Sequence, residues 1–275
     1  MATAKRRRLK GLSINKMLPN VLTVLALCAG LTAMRYGLQE RWEAAVAFVI
    51  AAGVLDGLDG RIARILGSAS KFGAEMDSLS DVIAFGVAPA FLVYLWTMHD
   101  AGNPGWILAL MFTACCALRL ARFNTMADAP KPPWAYNFFT GVPAPAGAGL
   151  ALLPMILYFW SDFSFLRQPV LNAAVLLAVS GLMVSRVPTY SFKSVRVPIK
   201  FVLPMLLIVT ALAASILSSP WATFSIIGVA YVVSIPLAQR AYVRLKKQME
   251  TRAGPLEAPG PEAVWNDGPK ADDED

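Results

Sequence analysis

Eight stretches of this 275-residue chain run close to twenty residues each with mainly apolar side chains. A helix needs about 20 such residues to cross a bilayer, because in hydrocarbon every backbone polar group must be satisfied within the segment. The stretches are 18 to 36, 42 to 62, 80 to 98, 104 to 121, 144 to 160, 169 to 187, 201 to 218 and 221 to 239. They predict an all-α polytopic membrane protein with about eight transmembrane helices. Composition agrees: 56% of residues are hydrophobic and 16% are charged, where a soluble domain has about 25% charged residues.

The distribution of cations tests the number of crossings, since a wrong count would scramble the excess of Lys and Arg on the inner side. With both termini inside, 22 of the 25 Lys and Arg fall in inner segments. Six crossings with two re-entrant segments fit less well. The net charge of +7 lies mostly beside the apolar runs, which points to anionic membrane lipids as partners and not to nucleic acid. Three regions are expected: a basic, interfacial or merely topogenic segment over 1–17, a transmembrane domain over 18–240, and a disordered, acidic, Pro- and Gly-rich cytoplasmic tail over 241–275. The N-terminus lacks the short apolar core of a secretory signal and is expected to be retained. Cys28, Cys115 and Cys116 sit in apolar runs and read as packing residues. Trp42, Trp96, Trp106, Trp160 and Trp221 fall near span ends and read as interfacial anchors. Pro143, Pro145 and Pro188 read as helix starts or bends, and His99 as a solvated loop residue.

The acids are unevenly placed. Eight of the 18 lie from Glu250 onward, and five of the other ten (Asp56, Asp59, Glu75, Asp77 and Asp81) lie between 56 and 81. An Asp at the centre of a lipid-facing helix costs about 2.5–3.5 kcal/mol, so such a cluster needs shelter or a cation. A helix entering at Trp42 carries Asp56 and Asp59 about 21 and 25 Å across a core of about 30 Å, toward the cytoplasmic side. The next span starts from that side near Asp77, with Asp81 about one turn further in. Spacings of three and four put each pair on one helix face. Two converging carboxylate pairs repel unless divalent cations sit among them. All-oxygen ligands suit Mg²⁺ or Mn²⁺ and, without His or Cys, not zinc. Ion pairing with Arg61, Arg64 and Lys71 is the alternative. Gly57, Gly60, Ala63 and Gly73 leave a groove beside the acids, and Arg64 lies at the interface within reach of a phosphate.

At these residues the chain resembles the CDP-alcohol phosphatidyltransferase family, whose signature DxxDGxxAR, eight residues, then GxxxDxxxD is matched by Asp56, Asp59, Gly60, Ala63, Arg64, Gly73, Asp77 and Asp81. The strings LPNVLT (18 to 23), FGAEMDSLSDVIAFGVAPA (72 to 90), LRLARFN (118 to 124) and FTGVPAPAGA (139 to 148) bring it nearest to the bacterial integral-membrane members that act on serine. The resemblance implies transfer of a phosphatidyl group from CDP-diacylglycerol to the hydroxyl of L-serine, with release of CMP. It implies Asp56, Asp59, Asp77 and Asp81 as ligands of two divalent metals and Asp81 also as the proton acceptor. It further implies Gly60, Arg64 and Ser70 as CDP contacts, a homodimer, and a bacterial inner-membrane location with the site facing the cytoplasm. Arg119 and Arg122, with Asn124 just beyond, are candidates to bind the serine carboxylate; capping the inner end of their helix is the alternative. Glu75 is a candidate ammonium partner. Glycerol 3-phosphate, inositol phosphate or choline are alternative acceptors, the first two drawing on inner-loop cations such as Lys131, Arg186, Lys193, Arg196 and Lys200. A cation-coupled transporter is the other class. It expects acids at the midplane on broken helices.

Overall fold

The computed structural model describes residues 14–68, 70–125, 138–190 and 201–253, and these are almost entirely helical. In chain order they form α1 (Ile14–Leu38), α2 (Trp42–Ile65), α3 (Lys71–Ala101), α4 (Asn103–Thr125), β1 (Phe138–Thr140), α5 (Ala144–Ala151), α6 (Leu153–Ser161), α7 (Pro169–Val184), β2 (Pro188–Tyr190), α8 (Val202–Ser218) and α9 (Pro220–Ala253).

The first three helices make the frame that holds the acids. Small residues on α1 (Ala26, Ala29 and Ala33) and one face of α2 (Ala45, Val46, Val49 and Ala52) are buried at helical spacing, so the two helices pack closely along their length. α1 approaches α3 equally closely: a side chain at Gly30 would come within 2.8 Å of the Ala84 Cα. Ser70 starts α3 by accepting a hydrogen bond from the Gly73 amide at 3.0 Å, satisfying one of the free amides of the first turn.

Within α3 the backbone widens into π turns at Val82–Val87 and Tyr94–Met98. Pro89, which offers no amide to the preceding turn, follows directly on the first. Pro154 has the same effect between α5 and α6, which meet at a bend of 44°. The core beneath is built from Phe85, Leu92, Met98, Phe112, Leu152, Met155, Leu176 and Met183.

The eight apolar stretches all become helical, yet fewer qualify as complete crossings. Four helices are long and apolar enough (α1, α3, α4 and α9), or five if the bent α5–α6 pair is one span. α2 is long enough but interrupted by charge, and α7 and α8 are shorter. A two-stranded antiparallel sheet was not anticipated: β1 pairs with β2, Phe139 opposite Thr189. Thus Pro188 lies in a strand and not at a helix start. The sheet depends on Gly141 at φ +78°, where a side chain would collide with the Met183 and Ser185 carbonyls.

Two further readings change. Trp96 is 2% exposed and packs edge-on against Tyr158, so it is a core residue and not an interfacial anchor; its position on a widened π turn rotates it inward. Trp106 and Trp160 remain exposed. α9 continues to Ala253, past the expected domain boundary at 240, because RAYVRLKKQMETRA is composed largely of good helix formers. The basic cluster at 5–10 and the acidic tail from 254 lie outside the described residues.

Candidate active site

Asp56 and Asp59 come from the end of α2, Asp77 from the first turns of α3. One carboxylate oxygen from each lies within 4.8 Å of the others. Asp81, one turn further along α3, stands outside this trio but within electrostatic reach of all three. None of the four is ion-paired with Arg61, Arg64 or Lys71; the close contact of this kind among the described residues is His99 Nε2 with Asp100 Oδ1 at 2.9 Å in an exposed turn, an ion pair when the imidazole is protonated. The ion-pair alternative for the acids therefore falls.

Three carboxylates this close are mutually unfavourable. At 4.8 Å each charged pair costs about 3.5 kcal/mol for an effective dielectric constant near 20. The donor set fits a hard divalent cation. Oxygens bound to one Mg²⁺ at about 2.1 Å lie about 3 to 4.2 Å apart, which the limit of 4.8 Å allows, and nothing softer than oxygen is present in the trio.

The most buried acid, Asp59, is held from outside the motif. The Thr23 hydroxyl donates to its Oδ2 at 2.6 Å, and both residues are 4% exposed. Thr23 is held in turn, since the Ser80 hydroxyl donates to its backbone carbonyl at 3.1 Å. Thr23 lies in the LPNVLT string, but nothing in its residue type announced a bond to an acid 36 positions away.

A cavity of about 160 Å³ opens beside the acids. Pro19, Asn20 and Thr23 of α1 line it on one side, and Asp59, Gly60, Ala63, Ser68, Ser70, Gly73, Ala74 and Asp77 on the other. The glycines divide into two kinds. A side chain at Gly57 or Gly60 would meet nothing within 4 Å, so these positions keep space open and do not serve helix packing. At Gly73 a side chain would come within 3.0 Å of Asn20 Oδ1, so this glycine permits α1 and α3 to approach.

The expected CDP contacts separate in the same way. Gly60 and Ser70 line the cavity. Arg64 is exposed and folds back along its own helix, its Nε donating to the Gly60 carbonyl at 2.9 Å.

The three candidates on α4 also part. Arg119 is half-buried and within electrostatic reach of Asp56 and Asp81. Arg122 donates to the Val184 carbonyl at 3.3 Å, and Asn124 donates to the Ser78 hydroxyl at 2.8 Å, tying α4 to α7 and α3. Glu75 is exposed and Arg186 is exposed. Lys131, Lys193, Arg196 and Lys200 lie outside the described residues.

The family model described as CDP-alcohol phosphatidyltransferase matches residues 16–184, which takes in every acid of the cluster. The chain belongs to this family. A second model, CDP-alcohol phosphatidyltransferase 2, matches residues 200–236. The chain is 37% identical over 273 residues to the CDP-diacylglycerol–serine O-phosphatidyltransferase of Mycobacterium bovis, covering 97% of this chain and 88% of the relative. It is 40% identical over 230 residues to the Mycobacterium leprae enzyme of the same name, covering 81% and 74%. The Helicobacter pylori enzyme of that name is 37% identical over 195 residues, covering 70% and 79%. The family match includes all the structural devices found around the acids: the α1 string, the widened α3 and the glycines of the cavity.

Proposed function

We propose that this protein transfers the phosphatidyl group of CDP-diacylglycerol to the hydroxyl of L-serine, producing phosphatidylserine and CMP. The observation that carries the chemistry is the gathering of Asp56, Asp59 and Asp77 from two helices beside an open, glycine-lined cavity. The choice of serine is supported by the relatives named for that acceptor, which match over most of both chains.

Asp56, Asp59, Asp77 and Asp81 are the ligands for divalent metal, Mg²⁺ or Mn²⁺, in two ions. When bound, such ions neutralise the diphosphate and favour departure of the leaving phosphate. Thr23 fixes the orientation of the Asp59 carboxylate. Gly60 and Ser70 leave room for and contact the CDP group, and Arg64 turns from its own helix toward a phosphate. The serine oxygen forms a bond to the lipid-side phosphorus, the bond from that phosphorus to the bridging oxygen breaks, and its electron pair leaves with CMP. The serine hydroxyl proton passes to Asp81, the carboxylate set apart from the trio and so least committed to it. Arg119 receives the serine carboxylate, with Arg122 and Asn124 framing that subsite through their bonds to Val184 and Ser78.

The same reading places the protein in a bacterial inner membrane with eight crossings, both termini and the active site on the cytoplasmic side, and anionic lipid around the N-terminal cations. It divides the chain into the basic segment 1–17, the transferase domain 18–240 and the tail 241–275, whose first part continues α9 to Ala253, with the chain acting as a homodimer. The inner-side excess of Lys and Arg supports the orientation. The test is CMP release from labelled CDP-diacylglycerol with a panel of acceptors. Serine-dependent release is expected, and release driven by glycerol 3-phosphate, inositol phosphate or choline in place of serine would refute the acceptor assignment.

A further inference from the structure

Two polar groups near the acids, neither of them lining the cavity, have no hydrogen-bond partner among the described residues. Arg119 makes no hydrogen bond or ion pair with any described residue; its guanidinium lies 5.8 Å from the centre of the Phe123 ring. A guanidinium has five donors, and none of these is taken by a described residue. The second group is Tyr231 on α9. Its hydroxyl is shut off from solvent and has no hydrogen bond among the described residues. Thr189 of β2 lies beside it, but the contact lacks hydrogen-bond geometry, and the Thr189 hydroxyl donates instead to the Gly141 carbonyl at 3.0 Å.

These two groups are within electrostatic reach of one another, and Arg119 is within reach of Asp56 and Asp81. The order is therefore acids, then Arg119, then Tyr231. A buried hydroxyl and a guanidinium, neither hydrogen-bonded to a described residue and each within electrostatic reach of the other, present donors that one anionic group can accept together. Asp59 and Asp77 line the cavity between α1, α2 and α3, where the lipid diphosphate is placed, whereas the acids within reach of Arg119 are Asp56 and Asp81, which do not line it. An anion held by Arg119 is therefore assigned to the second substrate.

We infer that Tyr231 completes, with Arg119, the subsite that reads the carboxylate of the acceptor, making Tyr231 a specificity-determining residue for serine over carboxylate-free amino alcohols. The inference rests on serine being the acceptor. A planar guanidinium and a phenolic O–H together present donors to both oxygens of a carboxylate. Ethanolamine has the hydroxyl and the ammonium of serine without that group, and is the matched probe.

The experiment compares kcat/KM for L-serine and for ethanolamine in the wild-type full-length protein and in Tyr231→Phe, which removes only the hydroxyl. The expected result is a loss of about 10-fold or more in the serine-to-ethanolamine ratio, carried by KM for serine, with KM for CDP-diacylglycerol and the metal requirement unchanged. Arg119→Lys is the second variant. In the double variant the two losses must combine to less than their product, since both act on one ligand. If Tyr231→Phe does not fold, Tyr231→His, which keeps a ring donor, is expected to retain more serine preference than Tyr231→Leu. A wild type that depends on serine and a folded Tyr231→Phe with an unchanged ratio would overturn the subsite alone. A wild type that releases CMP only with other acceptors would overturn the proposed acceptor and the subsite with it.

Discussion

Replacing Thr23 with valine removes one hydroxyl and preserves the shape of the side chain, so it isolates the bond to Asp59. That bond is 2.6 Å long between two residues each 4% exposed, and its acceptor is a carboxylate. The Thr23 hydroxyl also lies 3.1 Å from the Pro19 carbonyl, but it has a single proton and the shorter, charged contact takes it. A hydrogen bond to a charged group contributes about 1.5–3 kcal/mol, which corresponds to about 10- to 150-fold in an equilibrium constant. Partners that orient a metal ligand from behind have effects of about 10- to 100-fold, so the two estimates agree. The variant is therefore expected to bind Mn²⁺ at least about 10-fold more weakly, measured by the loss of the free-ion electron paramagnetic resonance signal on titration into purified protein. The Mg²⁺ concentration for half-maximal CMP release should rise in parallel, while KM for serine stays unchanged. Thr23→Ser, which retains the hydroxyl, should behave as wild type. A Thr23→Val protein with wild-type Mn²⁺ affinity would show that Asp59 does not depend on this contact for its position, and the reasoning would fail.

Chelation with EDTA is expected to abolish CMP release and added Mg²⁺ to restore it; full turnover in metal-free buffer would defeat the assignment of the acids. Asp56→Ala should lose both Mn²⁺ binding and turnover, and Asp81→Asn, which alters a metal ligand as well as the proton acceptor, should weaken Mn²⁺ binding and lower kcat by about 10²- to 10⁴-fold. Gly60→Ala and Gly30→Ala should move in opposite directions. The first adds a methyl group to open space, so the melting temperature should hold or rise while KM for CDP-diacylglycerol increases. The second forces a carbon to within 2.8 Å of the Ala84 Cα and should cost about 1–3 kcal/mol of stability. Arg122→Ala should change KM for serine by less than about threefold, against at least about tenfold for Arg119→Ala, because Arg122 is engaged with the Val184 carbonyl.

The sequence by itself determined the helices and the acids. Apolar length is a local property, so all eight stretches could be marked from residue type alone, and the i,i+3 and i,i+4 spacings put each pair of aspartates on one face before any neighbour was known. What the sequence could not provide was whatever depends on the distance between segments far apart in the chain. Thr23 reaches Asp59 because small residues let α1 lie against α2, and Tyr231 comes near Arg119 because α9 packs against β2, a strand too short to leave an alternating pattern. Trp96 turns inward because α3 widens ahead of it, changing the face that a regular helix would present. Arg119 and Arg122 read alike at i,i+3, and only the position of the Val184 carbonyl separates a guanidinium engaged by the fold from one with no hydrogen bond to a described residue. Local chemistry chose which groups are present; packing between distant segments decided which of them have partners.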